Sequence, residues 1–153
     1  VTNRIETEGE HILSVCIAAM TAAGVDLPKR QYFSPCPPIA ECDQLVVWLS
    51  RIFFGSPGAE QAASAHLQGP RSCEFGVVVY QCLPTPTAQG RPPSGSAWGK
   101  AAMLLTDQTA ALYLGLMADV VARGCREYAV GVLTTLADEG GLGGFATVYQ
   151  SAL

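Results

Sequence analysis

Between residues 8 and 24, Ile12, Val15, Cys16, Ala19, Met20 and Ala23 recur at steps of three and four, the spacing of one helix face. Gly24 ends that periodicity and Pro28 follows it, both natural stops. Lys29 to Phe33 reads as a short edge strand, closed by the rigid Cys36-Pro37-Pro38 segment. The pattern changes at Gln44. From there to Phe54 the residues Leu45, Val46, Val47, Trp48 and Leu49 are apolar on both faces, which predicts a central strand covered on both sides. Gly55 to Ser72 is a Gly/Ala/Ser-rich loop, and a loop that long in a compact domain is usually functional or disordered. Phe75 to Leu83 is a second strand, rich in valine and ended by Pro84.

Residues 84–95 carry four prolines and two glycines and read as an exposed connection. A long helix is predicted over Ala97 to Arg123, with Leu104, Leu105, Leu112, Leu116 and Val120 as its apolar face and Gly124 as its stop. Thr106-Asp107 can cap a second segment and break it in two. Glu127 to Leu136 and Phe145 to Leu153 alternate as two strands, joined by a glycine-rich hairpin loop from Asp138 to Gly144. The element order is α-β-β-β-α-β-β. The fold class expected is α+β: one domain over residues 1–153, with a mixed or antiparallel sheet of four to five strands flanked by the N-terminal and the long central helix.

Composition sharpens the picture. Hydrophobic residues make up 49% of the chain and charged residues 14%, against about 25% charged in average domains. The chain therefore has little charge with which to cover its own surface. Its longest apolar stretch, Ile12 to Val25, falls short of the roughly 20 residues of a spanning helix. Glu6, Glu8 and Glu10 occupy the place of a signal peptide's positive region, and Val15 is too bulky for a lipoprotein cleavage site before Cys16. A soluble protein, made in the cytosol and covered in part by other subunits, is the expectation. The net charge of −4 and the absence of any Lys/Arg cluster argue against a DNA-gripping surface, while an acidic balance suits a channel through which DNA slides.

The search for chemistry gives little. The six cysteines (Cys16, Cys36, Cys42, Cys73, Cys82, Cys125) are irregularly spaced with no CxxC pair, and free buried thiols are expected, Cys16 and Cys125 among them. Ser94 to Lys100 approaches a phosphate-binding loop, but Ser94 replaces its first glycine and Ala101 its final Ser/Thr. Gly140 to Gly144 lacks the order of a dinucleotide loop. His11 and His66 are the only histidines, and neither lies in a nucleophile signature. The pairs Glu41/Asp43 and Asp138/Glu139 read as solvated loop carboxylates. No catalytic, cofactor or metal residues are assigned.

The run Cys42-Asp43-Gln44-Leu45-Val46-Val47-Trp48-Leu49-Ser50-Arg51-Ile52 resembles a segment of neck proteins from long, non-contractile-tailed phages. The similarity continues in order through Cys82-Leu83-Pro84, Pro92-Pro93, the alanine/leucine-rich helix and the final strand after Gly141-Leu142-Gly143-Gly144. The opening helix and the basic-aromatic strand Lys29-Arg30-Gln31-Tyr32-Phe33 are similar to those of tail terminator proteins. The resemblance implies a non-enzymatic virion protein, typically a ring of six subunits at the head-proximal end of the tail tube. Such a ring meets the tube protein on one side and a head-side stopper or connector on the other. DNA passes through its lumen without specific binding, no membrane is involved, and assembly takes place in the host cytoplasm. Phe53, Phe54, Phe145 and Tyr149, aromatics near loop junctions, are the candidate subunit-interface residues. The alternatives are another neck component, a small thiol-dependent enzyme, and a secreted disulfide-stapled module.

Overall fold

The computed structural model describes residues 2–58, 69–139 and 141–153, with the side chains of 4–58, 69–136 and 141–153. The elements run α1 (Thr2–Ala22), β1 (Arg30–Ser34), β2 (Gln44–Phe54), β3 (Arg71–Cys82), α2 (Gly95–Arg123), β4 (Tyr128–Val130), β5 (Thr134–Glu139) and β6 (Leu142–Ala152). The protein is an α+β domain. Its sheet has the order β1-β2-β3-β6-β4, and β5 pairs with β6 further along the edge that β4 occupies. β1 lies parallel to β2, with Arg30 opposite Gln44, and all other pairs are antiparallel, so the sheet is mixed.

Both helices pack on one face of this sheet. Ile12, Cys16 and Met20 of α1 and Leu105, Leu112, Leu116 and Val120 of α2 form one core with Leu45, Val47, Cys73, Phe75, Val77, Val79 and Tyr149. The two-residue period of β2 and β3 explains this selection, since every second side chain points at the helices. Val46 and Val78, on the opposite face, are buried too, as expected for strands apolar on both sides. There Trp48 lies over Gly76, where an added Cβ would come within 2.2 Å of the indole. The helices approach closely at Gly115, where a Cβ would sit 2.5 Å from that of Ala19.

Several boundaries differ from the sequence expectation. α1 starts at Thr2, well before residue 8. Its polar first turns are held by tertiary contacts: Arg4 donates to the Ala152 carbonyl at 3.2 Å, and Glu8 pairs with Arg123. α2 is unbroken, because the Thr106 hydroxyl donates back to the Ala102 carbonyl at 2.8 Å and caps no new segment. Ser94 caps its start, accepting from the Ala97 amide. Glu127 to Leu136 divides into β4 and β5 around residues 131–133, with the Gly131 amide still donating to the Val148 carbonyl at 2.8 Å. β6 begins at Leu142, so Gly143 and Gly144 belong to a strand and not to the hairpin loop. β2 spans Gln44–Phe54 as expected, whereas β3 begins four residues early, at Arg71, and ends at Cys82; the Gly55 amide donates to the Pro70 carbonyl at the base of their connection. Most of the 55–72 loop, with His66, and the side chains of Asp138 and Glu139 lie outside the described residues.

Candidate subunit interface

α2 is apolar on both faces. Its inward stripe of Leu105, Gln108, Thr109, Leu112, Leu116 and Val120 closes the core. On the opposite side Met103, Leu114 and Val121 are 67–69% exposed and Met117 is 42% exposed. Met103, Ala110 and Met117 are one heptad apart, and so are Leu114 and Val121. Together they make a straight seam of the kind one helix presents to another. Among the exposed positions of α2 only Lys100 and Asp107 carry charge. Beside the seam a shallow groove runs between α2 and the end of α1, lined by Val25, Asp26, Leu104, Asp107, Ala110 and Leu114. By length and composition α2 would also suffice to cross a bilayer. Its inward stripe is part of the domain's core, which leaves the outer stripe in search of a cover.

The aromatic residues expected at an interface are placed differently. Tyr149 is fully buried and belongs to the core, because β6 is flanked on both edges and its inward positions face α2. Phe53 is buried as well, with the Arg51 guanidinium 5.5 Å from its ring centroid. The register shift between Leu49 and Arg51 reorients the end of β2, and nothing local in the sequence announces it. Phe145 is partly buried against the core. Phe54 alone of the four is exposed, and Arg71 stacks on it at 5.5 Å. The sequence expectation of one apolar face on α2 does not include this seam. The available signal was that apolar side chains run right around the helix.

The main cluster of titratable groups joins the two helices to the sheet. Asp119 accepts the Tyr149 hydroxyl at 2.6 Å on one oxygen and lies 2.9 Å from His11 Nε2 on the other. Arg123 donates to both oxygens of Glu8, at 2.5 and 2.9 Å, and to the Tyr128 hydroxyl at 2.9 Å. Burial and the bond to Asp119 push the Tyr149 hydroxyl well above the ordinary tyrosine range, so it stays protonated and donating. Asp119 spends both oxygens inside the protein, and the cluster acts as a clamp between α1, α2 and β6. A second carboxylate, Glu74, is buried on the far face of the sheet. Burial alone would raise its pKa, but hydrogen bonds from Arg51 and Gln150, both 2.8 Å, and from Ser50 hold it below the usual value.

The cysteines correct the expectation of free buried thiols. Cys42 and Cys82 form a disulfide across the ends of β2 and β3, with a Cα–Cα distance of 4.8 Å. The pairing is invisible in linear spacing because the two residues are 40 positions apart. Cys36 and Cys125 are exposed, Cys125 because it follows the end of α2 rather than lying within it. Cys16 and Cys73 are free and buried. Burial pushes the Cys16 thiol up to about 12 and the Cys73 thiol up to about 11, so neither is a thiolate at neutral pH. Glu41 and Asp43 are ion-pair partners of Arg30 and Lys29. Among the described residues no three His, Cys, Asp or Glu side chains converge to hold a metal ion. No protein-family model matches the chain, and no curated protein matches it.

Proposed function

We propose that this chain is a structural subunit of a phage neck, a tail terminator. Copies of it would form a ring at the head-proximal end of the tail tube, stop tube polymerisation and join tail to head. The observation that carries the reading is the outer seam of α2, where Met103, Ala110, Leu114, Met117 and Val121 leave an apolar strip uncovered by the described residues. A seam at heptad spacing calls for a helix or a groove of another protein chain. The near absence of cations along it disfavours an anionic membrane or nucleic acid as the cover. Another copy of this chain is the occupant that a ring supplies. The phage setting itself rests on the resemblance of residues 42–52 and the segments after it.

Two helices on an open mixed sheet support a terminator over a barrel-shaped stopper. The net charge of −4 suits a lumen that passes DNA without holding it. The test is electron microscopy of lysates from a phage lacking this gene. Full heads beside separate, overlong tail tubes are expected. Tails of normal length beside emptied heads would move the protein to the stopper or connector.

A second reading has its own support. The Cys42–Cys82 disulfide is usual in secreted domains and on virion surfaces, and rare in cytosolic proteins. An extracytoplasmic interaction module would also carry it. The bond is compatible with a neck protein if it closes in the released particle, so thiol counts before and after release separate the two readings.

A further inference from the structure

Cys42 and Cys82 stand where the β2–β3 ladder runs out. The last paired residues at that end are Gln44 and Tyr80, and the same register stepped outward by two sets Cys42 against Cys82. Asp43, between the bond and β2, sits at φ 59°, a left-handed conformation that aspartate adopts more readily than most non-glycine residues. Its carbonyl accepts the Arg30 amide at 3.1 Å. Its carboxylate accepts the Gln81 amide group at 3.4 Å and lies 3.5 Å from Lys29 Nζ. Asp43 therefore ties the start of β1 to the end of the β2–β3 pair. Gln44 donates its side-chain amide to the Ile39 carbonyl at 2.9 Å, which anchors the connection between β1 and β2. Immediately after Cys82 the Leu83 amide donates to the Gly141 carbonyl at 2.7 Å, which anchors the head of the 83–94 connection.

Reagents can reach this corner, as they reach the exposed free thiols Cys36 and Cys125. Cys82 is exposed, whereas Cys16 and Cys73 are sealed in the core and cannot exchange with it. The core residues nearest in sequence, Leu45, Val47, Val77 and Val79, are packed by the helices and need no bond at residue 42 to stay buried.

We infer that the Cys42–Cys82 pair is a redox latch on the loop-bearing end of the sheet. Closed, it holds the 35–43 and 83–94 connections in place; open, it releases them while the helices and the sheet stay folded. Closing uses a small-molecule disulfide such as oxidised glutathione. One cysteine thiolate attacks it and expels a glutathione thiolate, leaving a mixed disulfide. The second cysteine thiolate then attacks the protein-bound sulfur of that mixed disulfide and expels the second glutathione. Two protein thiols are oxidised and one glutathione disulfide is reduced to two thiols; opening is the reverse. The latch does not depend on the ring reading.

The full chain, equilibrated in glutathione buffers of graded redox ratio, tests it by hydrogen–deuterium exchange with parallel alkylation. The oxidised protein, denatured without reductant, should show four alkylated cysteines, and six after reduction. Amides in peptides covering residues 29–43 and 83–94 should exchange at least tenfold faster once the bond opens, with α1, α2 and the centre of β3 unchanged. The Cys42→Ser/Cys82→Ser variant should reproduce the open pattern in every buffer; if it does not fold, wild type reduced in place supplies the open state. Six alkylated cysteines before any reduction, equal exchange in the two states, or acceleration spread evenly over helices and sheet would each overturn the latch.

Discussion

Tyr149→Phe removes one oxygen from the clamp between the helices and the sheet. The hydroxyl donates to Asp119 at 2.6 Å in a position where Tyr149 is fully buried and the Asp119 side chain is 11% exposed. A hydrogen bond to a charged group contributes about 1.5–3 kcal/mol, and little water can reach Asp119 to replace it. For 153 residues the entropy of unfolding is about 0.3 kcal/mol/K, so a loss of about 2 kcal/mol lowers Tm by about 6 °C. Tyr113→Phe, which removes a neutral bond to the Gly131 carbonyl at 3.1 Å, should cost about half as much. The folded pKa of Tyr149 is raised, so its contribution is complete below the ordinary value near 10 and fades as pH rises beyond it. Thermal melts at pH 7 and urea titrations between pH 8 and 11 measure both effects. A Tyr149→Phe protein that melts within about 1 °C of wild type, or one with the wild-type loss of stability above pH 10, would refute the clamp.

Three further outcomes follow from the same geometry. Cys42→Ser/Cys82→Ser frees a loop of 40 residues in the unfolded chain, a loss of about 4 kcal/mol by chain entropy, and should lower Tm by about 12 °C under oxidising conditions and not under reducing ones. The depressed pKa of Glu74 means that its stabilisation is complete above its ordinary value near 4.5 and is lost as pH falls through the lower folded value. Glu74→Gln should therefore flatten the acid limb of a stability–pH curve measured by urea titration. Ala replacing Gly76 would drive a Cβ into the Trp48 ring and should cost about 1–3 kcal/mol, visible as a shifted tryptophan emission and a lower urea midpoint.

Much of the fold was legible because the strong patterns are long. Leu45 to Leu49 are apolar on both faces, and the strand they begin is buried on both over residues 44–47; the four-residue spacing of Ile12, Cys16 and Met20 placed α1 on the core. What escaped depends on tertiary partners. The first turns of α1 are polar and are held by Ala152 and Arg123, which lie more than a hundred residues away. Thr106-Asp107 has the residue types of a cap, yet the Thr106 hydroxyl turns back into the preceding turn. The bulge between Leu49 and Arg51 decided that Phe53 is buried and Phe54 exposed. The disulfide required knowing that β2 and β3 are neighbours in a fixed register. The outer seam of α2 was present in the sequence as Met103, Leu114, Met117 and Val121. Its meaning appeared only once the opposite stripe was seen to fill the core on its own.

In the proposed ring, α2 meets another copy of the chain through that seam. Sedimentation velocity at tens of micromolar, comparing wild type with Leu114→Asp/Val121→Asp, tests it most directly, because both side chains point away from the core and the variant should keep the wild-type circular dichroism. Wild type should form a discrete assembly and the variant a folded monomer. A wild type that stays monomeric at every concentration, or a variant that assembles as wild type does, would contradict the seam contact.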